Sequence, residues 1–223
     1  MLSAIRPGEK EKTMSKNERC YRTADLGIVK RYKDDEEYIV EGYASTFKPY
    51  VLFSEDGVDY SEVIDRHAFD ETDMSDVVFR IDHEGAVYAR TSNKLIELSV
   101  DDKGLFSRVN LGMTEGAKEV WRNIEIGNYP KMSFAFTVAK DEYDKKTHTR
   151  NILKVRKLYD VSAVAFPANP DTSIDVSTRD YFNGVIEMEK AERLREEEEM
   201  RLATERLQKK ADLKKRLEEL RGK

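Results

Sequence analysis

The sequence predicts a mixed β domain with peripheral helices, either an antiparallel barrel or a sandwich, followed by a charged helical tail. Three observations carry that prediction. Strand-like segments recur at roughly ten-residue spacing with turn residues between them, the texture of an antiparallel meander. Strands do not alternate with helical segments in a βαβ rhythm, so a parallel sheet is not expected. Composition then changes abruptly near Tyr181, from ordinary globular sequence to dense Glu, Lys and Arg.

At 223 residues the chain has room for one substantial domain and an appendage. Hydrophobic residues make up 39% and charged residues 37%, averages that conceal a split between residues 36–176 and the charged end. A core of about 140 residues buries roughly two-thirds of its unfolded surface, enough to fold without staples. The net charge of −5 leaves no electrostatic footprint for nucleic acid. Lys154, Arg156 and Lys157 alternate with apolar residues and mark the wet face of a strand. The single Cys20 excludes an internal disulfide and a multi-cysteine zinc site, and fits a reducing compartment. The first residues, MLSAIRPGEKEK, contain no apolar h-region, and no apolar run approaches the roughly 18 residues needed to span a bilayer. A soluble protein with no membrane partner is expected.

Residues 1–30 are polar and weakly patterned, and read as an N-terminal arm or a peripheral strand. YIVEGYAS, from Tyr38, is β-rich; a long connection with turn residues at Lys48, Pro49, Ser54, Glu55, Asp56 and Gly57 follows it. SEVIDRHAFDET reads as a strand end running into a short helix. Four candidate strands come next: VVFRID (77–82), AVYAR (86–90), KLIELSV (94–100) and GLFSRVN (104–110), with DHEG and DDKG supplying turn chemistry. Thr114 is placed to cap a helix, Ala117, Val120, Trp121 and Ile124 keep helical spacing, and Gly127 stands where a C′ residue ends it. KMSFAFTVAK, NILKVRKLYD and VSAVAFPA are strands again, and Pro167 and Pro170 close the domain. In the tail, Met188, Ala191 and Leu194 share a helical stripe, as do Leu213, Leu217 and Leu220. Glu196–Glu199 carry none, so an exposed extended helix is expected rather than a continuous coiled coil.

Three polar residues stand out because each lies on or beside a strand, where a rigid sheet can fix its angle. Of the three histidines, His67 falls on a surface segment and His148 in a polar hairpin, whereas His83 closes the apolar strand VVFRIDH. Ser133 alternates with the phenylalanines of KMSFAF, so Ser133, Ala135 and Thr137 share the opposite face and the serine is expected to be accessible to a substrate carbonyl. Asp160 opens an apolar run, where an unpaired carboxylate is costly to bury and a partner is implied, either a histidine N–H or Arg156. A base, a nucleophile and an orienting carboxylate are the parts of a serine hydrolase. No G-x-S-x-G elbow surrounds Ser133, which disfavours an α/β-hydrolase. The backbone amides of Ala168 and Asn169 are candidate oxyanion donors, being near Asp160 in sequence.

In order, FRIDHEGAVYAR, GLFSRVNL, GNYPKMSFAF and LYDVSAVAFPANP resemble the prohead serine proteases of tailed bacteriophages, a family related to herpesvirus assemblin. The resemblance covers about residues 36–176. It implies an antiparallel β-barrel of the herpesvirus-protease type, with His83 and Ser133 as catalytic pair. The third member falls at Asp160; the family often has glutamate there in an E-V-S string, and D-V-S implies a shorter reach. The Gly-Arg pair that commonly follows the histidine stands here as Ala89–Arg90, leaving the role of Arg90 open. Implied substrates are scaffold segments, scaffold-like parts of the major capsid protein, and the protease itself. The implied setting is the immature procapsid in the host cytoplasm, with no cofactor and with a homo-oligomer allowed. Residues 1–30 are then an arm, 31–178 the protease domain and 179–223 a scaffold-like helical tail. Two alternatives compete: a non-enzymatic capsid assembly or scaffold protein acting through that tail, and a metal hydrolase using Asp82, His83 and Glu84. The last is poor, because neighbours along a strand face opposite ways.

Overall fold

The computed structural model describes residues 19–24, 30–32, 38–165 and 176–221. In chain order the elements are β1 (Cys20–Ala24), β2 (Lys30–Tyr32), β3 (Ile39–Thr46), β4 (Tyr50–Glu55), β5 (Val58–Ile64), β6 (Val78–Ile81), β7 (Glu84–Arg90), β8 (Ile96–Val100), β9 (Gly104–Asn110), α1 (Glu115–Glu125), β10 (Lys131–Asp144), β11 (Thr149–Val164) and α2 (Val176–Arg221).

The spine is the long antiparallel hairpin of β10 and β11. Runs such as MSFAFTV and ILKVRKLYDVSAV supply the β-branched and aromatic residues that a half-buried pleated surface favours. NILKVRKLYD and VSAVAFPA, expected as separate strands, form one continuous strand up to Val164, and the end of the second, from 166, falls outside the described residues. β1 pairs with the outer edge of β10. The opposite edge of β11 is long enough to take two parallel partners in succession, β5 along Thr149–Ile152 and β6 along Asp160–Ala163. β4 extends β5 and β7 extends β6, giving a seven-stranded sheet among the described residues. A four-stranded sheet, in the order β2-β3-β9-β8, completes the β structure.

Several expectations are corrected here. The larger sheet is mixed rather than purely antiparallel, the smaller one is antiparallel, and the described strands of each are open-ended and do not close into a barrel. The meander over 77–110 divides: β6–β7 joins the larger sheet and β8–β9 the smaller. A 3₁₀ turn at Thr91–Asn93, followed by Lys94 at φ 63°, redirects the chain between them. The connection containing Asp56 and Gly57 is a hairpin, with β4 as an overlooked strand; φ is 54° and 78° at its two turn residues. Asp-Gly is a strong signal for that turn. The helix expected in DRHAFDET is a run of turns, because its backbone bonds outward to β11. Val155 N–H donates to Ala68 O at 2.8 Å, Asp73 N–H to Arg156 O at 3.0 Å, and Leu158 N–H to Asp73 O at 3.1 Å.

α1 follows its sequence signals. The Thr114 hydroxyl accepts from Ala117 N–H, Ala117, Val120, Trp121 and Ile124 are buried, and Gly127 takes φ 89° beyond the end. Trp121 Nε1 donates to Ile39 O at 3.0 Å and satisfies its indole inside the core. Phe79, Phe134, Phe136, Leu105 and Met132 join it there. Contacts divide the chain into two units, one within Thr13–Arg179 and another containing Asp180 onward. α2 residues from Glu187 to Arg221 are exposed, Glu189 partly so. Among the described residues no helix is long and apolar enough to cross a membrane.

Candidate active site

The site is built on two alternate rungs of the larger sheet. In register across β10, β11 and β6, Ser133 lies opposite Ser162, and Ser162 opposite Arg80; two positions along, beyond the rung of Phe134, Val161 and Phe79, stand Ala135, Asp160 and Val78. Directly opposed side chains share a face, so Ser133 and Asp160 are diagonal neighbours on one side of the sheet. His83 reaches them from the β6–β7 hairpin. Ile81 pairs with Glu84, leaving Asp82 and His83 as a two-residue loop with φ of 48° and 62°. Positive φ at both central residues marks a type I′ turn, and Asp and His are among the few non-glycine residues that tolerate it. Asp82 stitches the loop to the end of β11: its Oδ1 accepts from Ala165 N–H at 3.0 Å, and its own N–H donates to Ala163 O at 3.1 Å. Arg80 Nη1 donates to His83 O at 3.2 Å.

His83 Nε2 is 2.6 Å from Ser133 Oγ, and its Nδ1 is 2.6 Å from Asp160 Oδ1. Ser162 donates its hydroxyl to the same Asp160 oxygen at 2.8 Å. With Nδ1–H donated to the carboxylate, Nε2 is left as an acceptor facing the serine hydroxyl. The Tyr21 ring meets the imidazole edge-on, centroids 4.8 Å apart. Ser133 is not accessible as the sequence suggested: it is 1% exposed, and its hydroxyl also lies 2.7 Å from the carbonyl oxygen of Arg22 on β1.

Behind β1 lies a buried ionic network that the sequence reading passed over. The Arg22 guanidinium binds Glu62 through Nε at 2.6 Å and Nη2 at 3.0 Å, and Nη2 also reaches Thr178 Oγ1 at 3.0 Å. Tyr50 OH donates to Glu62 at 2.6 Å, and Arg150 bridges Glu62 at 3.2 Å and Asp141 at 2.7 Å. Burial pushes the Glu62 carboxyl upward, but the two arginines outweigh it and hold it below the usual carboxylate range. Burial, with Glu62 alongside, pushes the Tyr50 phenol well up. One signal was present in the sequence: in VDYSEVI the inward positions are Tyr60, Glu62 and Ile64, so period 2 places a charge where the core should be.

The other candidates lie elsewhere. His67 is exposed and faces Asp70, and His148 sits in the β10–β11 turn beside Tyr143. Arg90 pairs with Asp76 at 3.0 Å. Asp160 is partnered by His83 and Ser162, and Arg156 is exposed. Ala168 and Asn169 fall outside the described residues. Asp82 and His83 occupy a turn rather than a strand, and each is engaged separately, with Ala165 and with Asp160. Among the described residues no three His, Cys, Asp or Glu side chains cluster as metal ligands.

Comparison with known proteins gives three findings. A family model described as caudovirus prohead serine protease matches residues 26–185. A structure of the bacteriophage T4 capsid assembly protease, gp21, is similar at a TM-score of 0.42 and 12% identity, over 67% of this chain and 98% of that one. No curated protein sequence matches.

Proposed function

The chain belongs to the caudovirus prohead serine protease family, and from that premise we propose that it is an endopeptidase whose nucleophile is Ser133, with His83 as base and Asp160 as orienting carboxylate. The observation that carries the assignment is the chain of two 2.6 Å contacts from Asp160 through His83 to Ser133. Ser133 Oγ attacks the substrate carbonyl carbon as His83 Nε2 takes the hydroxyl proton. His83 then passes that proton to the leaving amine, and a water molecule, deprotonated by the same nitrogen, releases the acyl group from Ser133. Asp160 holds the tautomer and stabilises the imidazolium, and Ser162 keeps the carboxylate in place.

In this reading the substrates are scaffold segments or parts of the capsid protein, cut inside the immature procapsid in the host cytoplasm, and the chain cuts itself. Residues 31–178 are the protease domain, and 179–223 a scaffold-like extension. A second reading, an assembly protein acting through its tail, draws on the exposed surface of α2 from Glu187 onward.

Co-expression with capsid and scaffold proteins, followed by mass measurement of every chain, separates the two. Ser133→Ala abolishes processing in the protease reading, with turnover down on the order of 10⁶ if the three residues act as a unit. His83→Ala is comparably damaging, whereas His67→Ala and His148→Ala change little. Wild-type processing by Ser133→Ala would remove the nucleophile assignment.

A further inference from the structure

A nucleophile must be reachable, yet Ser133 is 1% exposed and the group on its hydroxyl belongs to the chain's own β1. We propose that β1 occupies the track along β10 that an extended peptide substrate enters, so that the chain holds its own active site closed until β1 is released. The proposal rests on the reading of Ser133 as nucleophile and adds to it the substrate's binding edge.

Position is the first argument. β1 ends the larger sheet, pairing with β10 over five consecutive positions from Cys20↔Phe136 to Ala24↔Met132. A sheet edge offers a row of N–H and C=O groups, and an extended peptide binds such an edge by adding a strand. The stretch of edge beside Ser133 is already filled by β1, with Thr23 directly opposite the serine. An incoming substrate therefore needs the hydrogen bonds that β1 is using.

Chemistry is the second. A hydroxyl has one proton, and Ser133 Oγ has two acceptors in reach, His83 Nε2 at 2.6 Å and Arg22 O at 2.7 Å. A proton donated to Arg22 O is not donated to His83, and the serine is then not poised for deprotonation by the imidazole. Tyr21, the preceding residue, lays its ring against His83. One strand thus blocks both the hydroxyl and the base.

The latch is the third. β1 is five residues long and pairs along one edge only, that of β10, so fewer ladder bonds are broken in opening it than in opening β10 or β11, although Cys20 is packed in the core. The Arg22 side chain supplies the extra hold through its two bonds to Glu62 and one to Thr178. A substrate strand that replaces the ladder bonds of β1 has this latch left to overcome.

The test uses the full chain and a fluorophosphonate that acylates activated serines, with the modified residue located by mass spectrometry. Tyr21 and Ala135 are cross-strand partners, at a spacing a disulfide can bridge. Tyr21→Cys with Ala135→Cys, in a Cys20→Ser background, therefore locks β1 to β10 reversibly. The oxidised chain is expected to label at Ser133 at least tenfold more slowly than the same chain after reduction. Arg22→Ala, without the lock, is expected to label at least tenfold faster than wild type; if it fails to fold, the lock still decides. Equal and rapid labelling in the oxidised and reduced chains would overturn the proposal and leave the nucleophile intact. No label at Ser133 in a reduced chain whose backbone amides at 21–24 exchange freely with solvent would sink the nucleophile reading, and the proposal with it.

Discussion

Asp160 Oδ1 receives two donors, His83 Nδ1–H and the Ser162 hydroxyl, and the second is the testable one. A hydrogen bond to a charged acceptor is worth about 1.5–3 kcal/mol, or roughly ten- to a hundredfold in a rate if it is felt fully in the transition state. Ser162→Ala is therefore expected to lower kcat about tenfold or more at unchanged KM, with Ser133 acylation slowed by the same factor. A merely structural role would lower the melting temperature and leave kcat per folded molecule alone. Residue by residue, the sequence was informative where chemistry is rare. Three histidines made the choice of base tractable, and a carboxylate opening an apolar run announced a partner. The fold brings His83, Ser133 and Asp160 within hydrogen-bonding distance; whether they act as a unit is what Ser133→Ala and His83→Ala decide. Ser162 was overlooked because a serine in VSAVAF reads as a neutral strand residue, and its spacing of two from Asp160 acquires meaning once the register is known. The left-handed backbone at Asp82 and His83 was also hidden, since a strand-closing histidine and a turn histidine look alike in sequence.

At the scale of elements, the buried network ties β1, β5 and β11 together through Arg22, Glu62 and Arg150. Glu62 is held below its ordinary value of 4.5. The folded chain thus binds this proton more weakly than the unfolded chain does. The resulting stability is complete above about pH 4.5 and drains away as pH falls below that value. Removing one partner of a buried ion pair costs about 3–5 kcal/mol. Glu62→Gln is therefore expected to destabilise by that order at pH 7, with the gap from wild type narrowing as the solution is acidified. Denaturant unfolding at several pH values measures it, and a gap that stays constant from pH 7 to about pH 3 would mean that Glu62 does not carry the acid limb. Strands were legible where alternation was clean, as in GLFSRVN, which is β9 to the residue. Sheet assignment was not, because two hairpins adjacent in sequence join different sheets. Nor was the parallel pairing, which follows from β11 being longer than its neighbours. The turns after Asp65 won over a helix because β11 offered their backbone partners that a helix would have left unused.

For the molecule as a whole, the question is what the charged end contributes. Along α2, Met188, Leu194, Met200, Leu207, Leu213, Leu217 and Leu220 are all more than half exposed. Each is surrounded by charge, and the sequence pattern gave them no single seam. The helix buries Phe182, Val185 and Ile186 near its start, but beyond Ile186 it is exposed and draws no stability from a core, so truncating it there should leave the rest of the chain standing. Deleting residues 188–223 is expected to shift the melting temperature of the remaining chain by no more than about 2 °C, since a change within 0.5 kcal/mol is what surface alterations produce. Hydrolysis of a short peptide by the truncated chain should also match wild type, because His83, Ser133 and Asp160 all lie upstream. If the tail is a scaffold-like segment, the same deletion lowers incorporation of the protease into procapsids while peptide hydrolysis persists. The two competing readings then part cleanly. Loss of assembly in the deletion, together with normal processing in Ser133→Ala, would assign the activity to the helix. Normal peptide hydrolysis in the deletion, lost on adding Ser133→Ala, would assign catalysis to the sheet and leave the helix to deliver it.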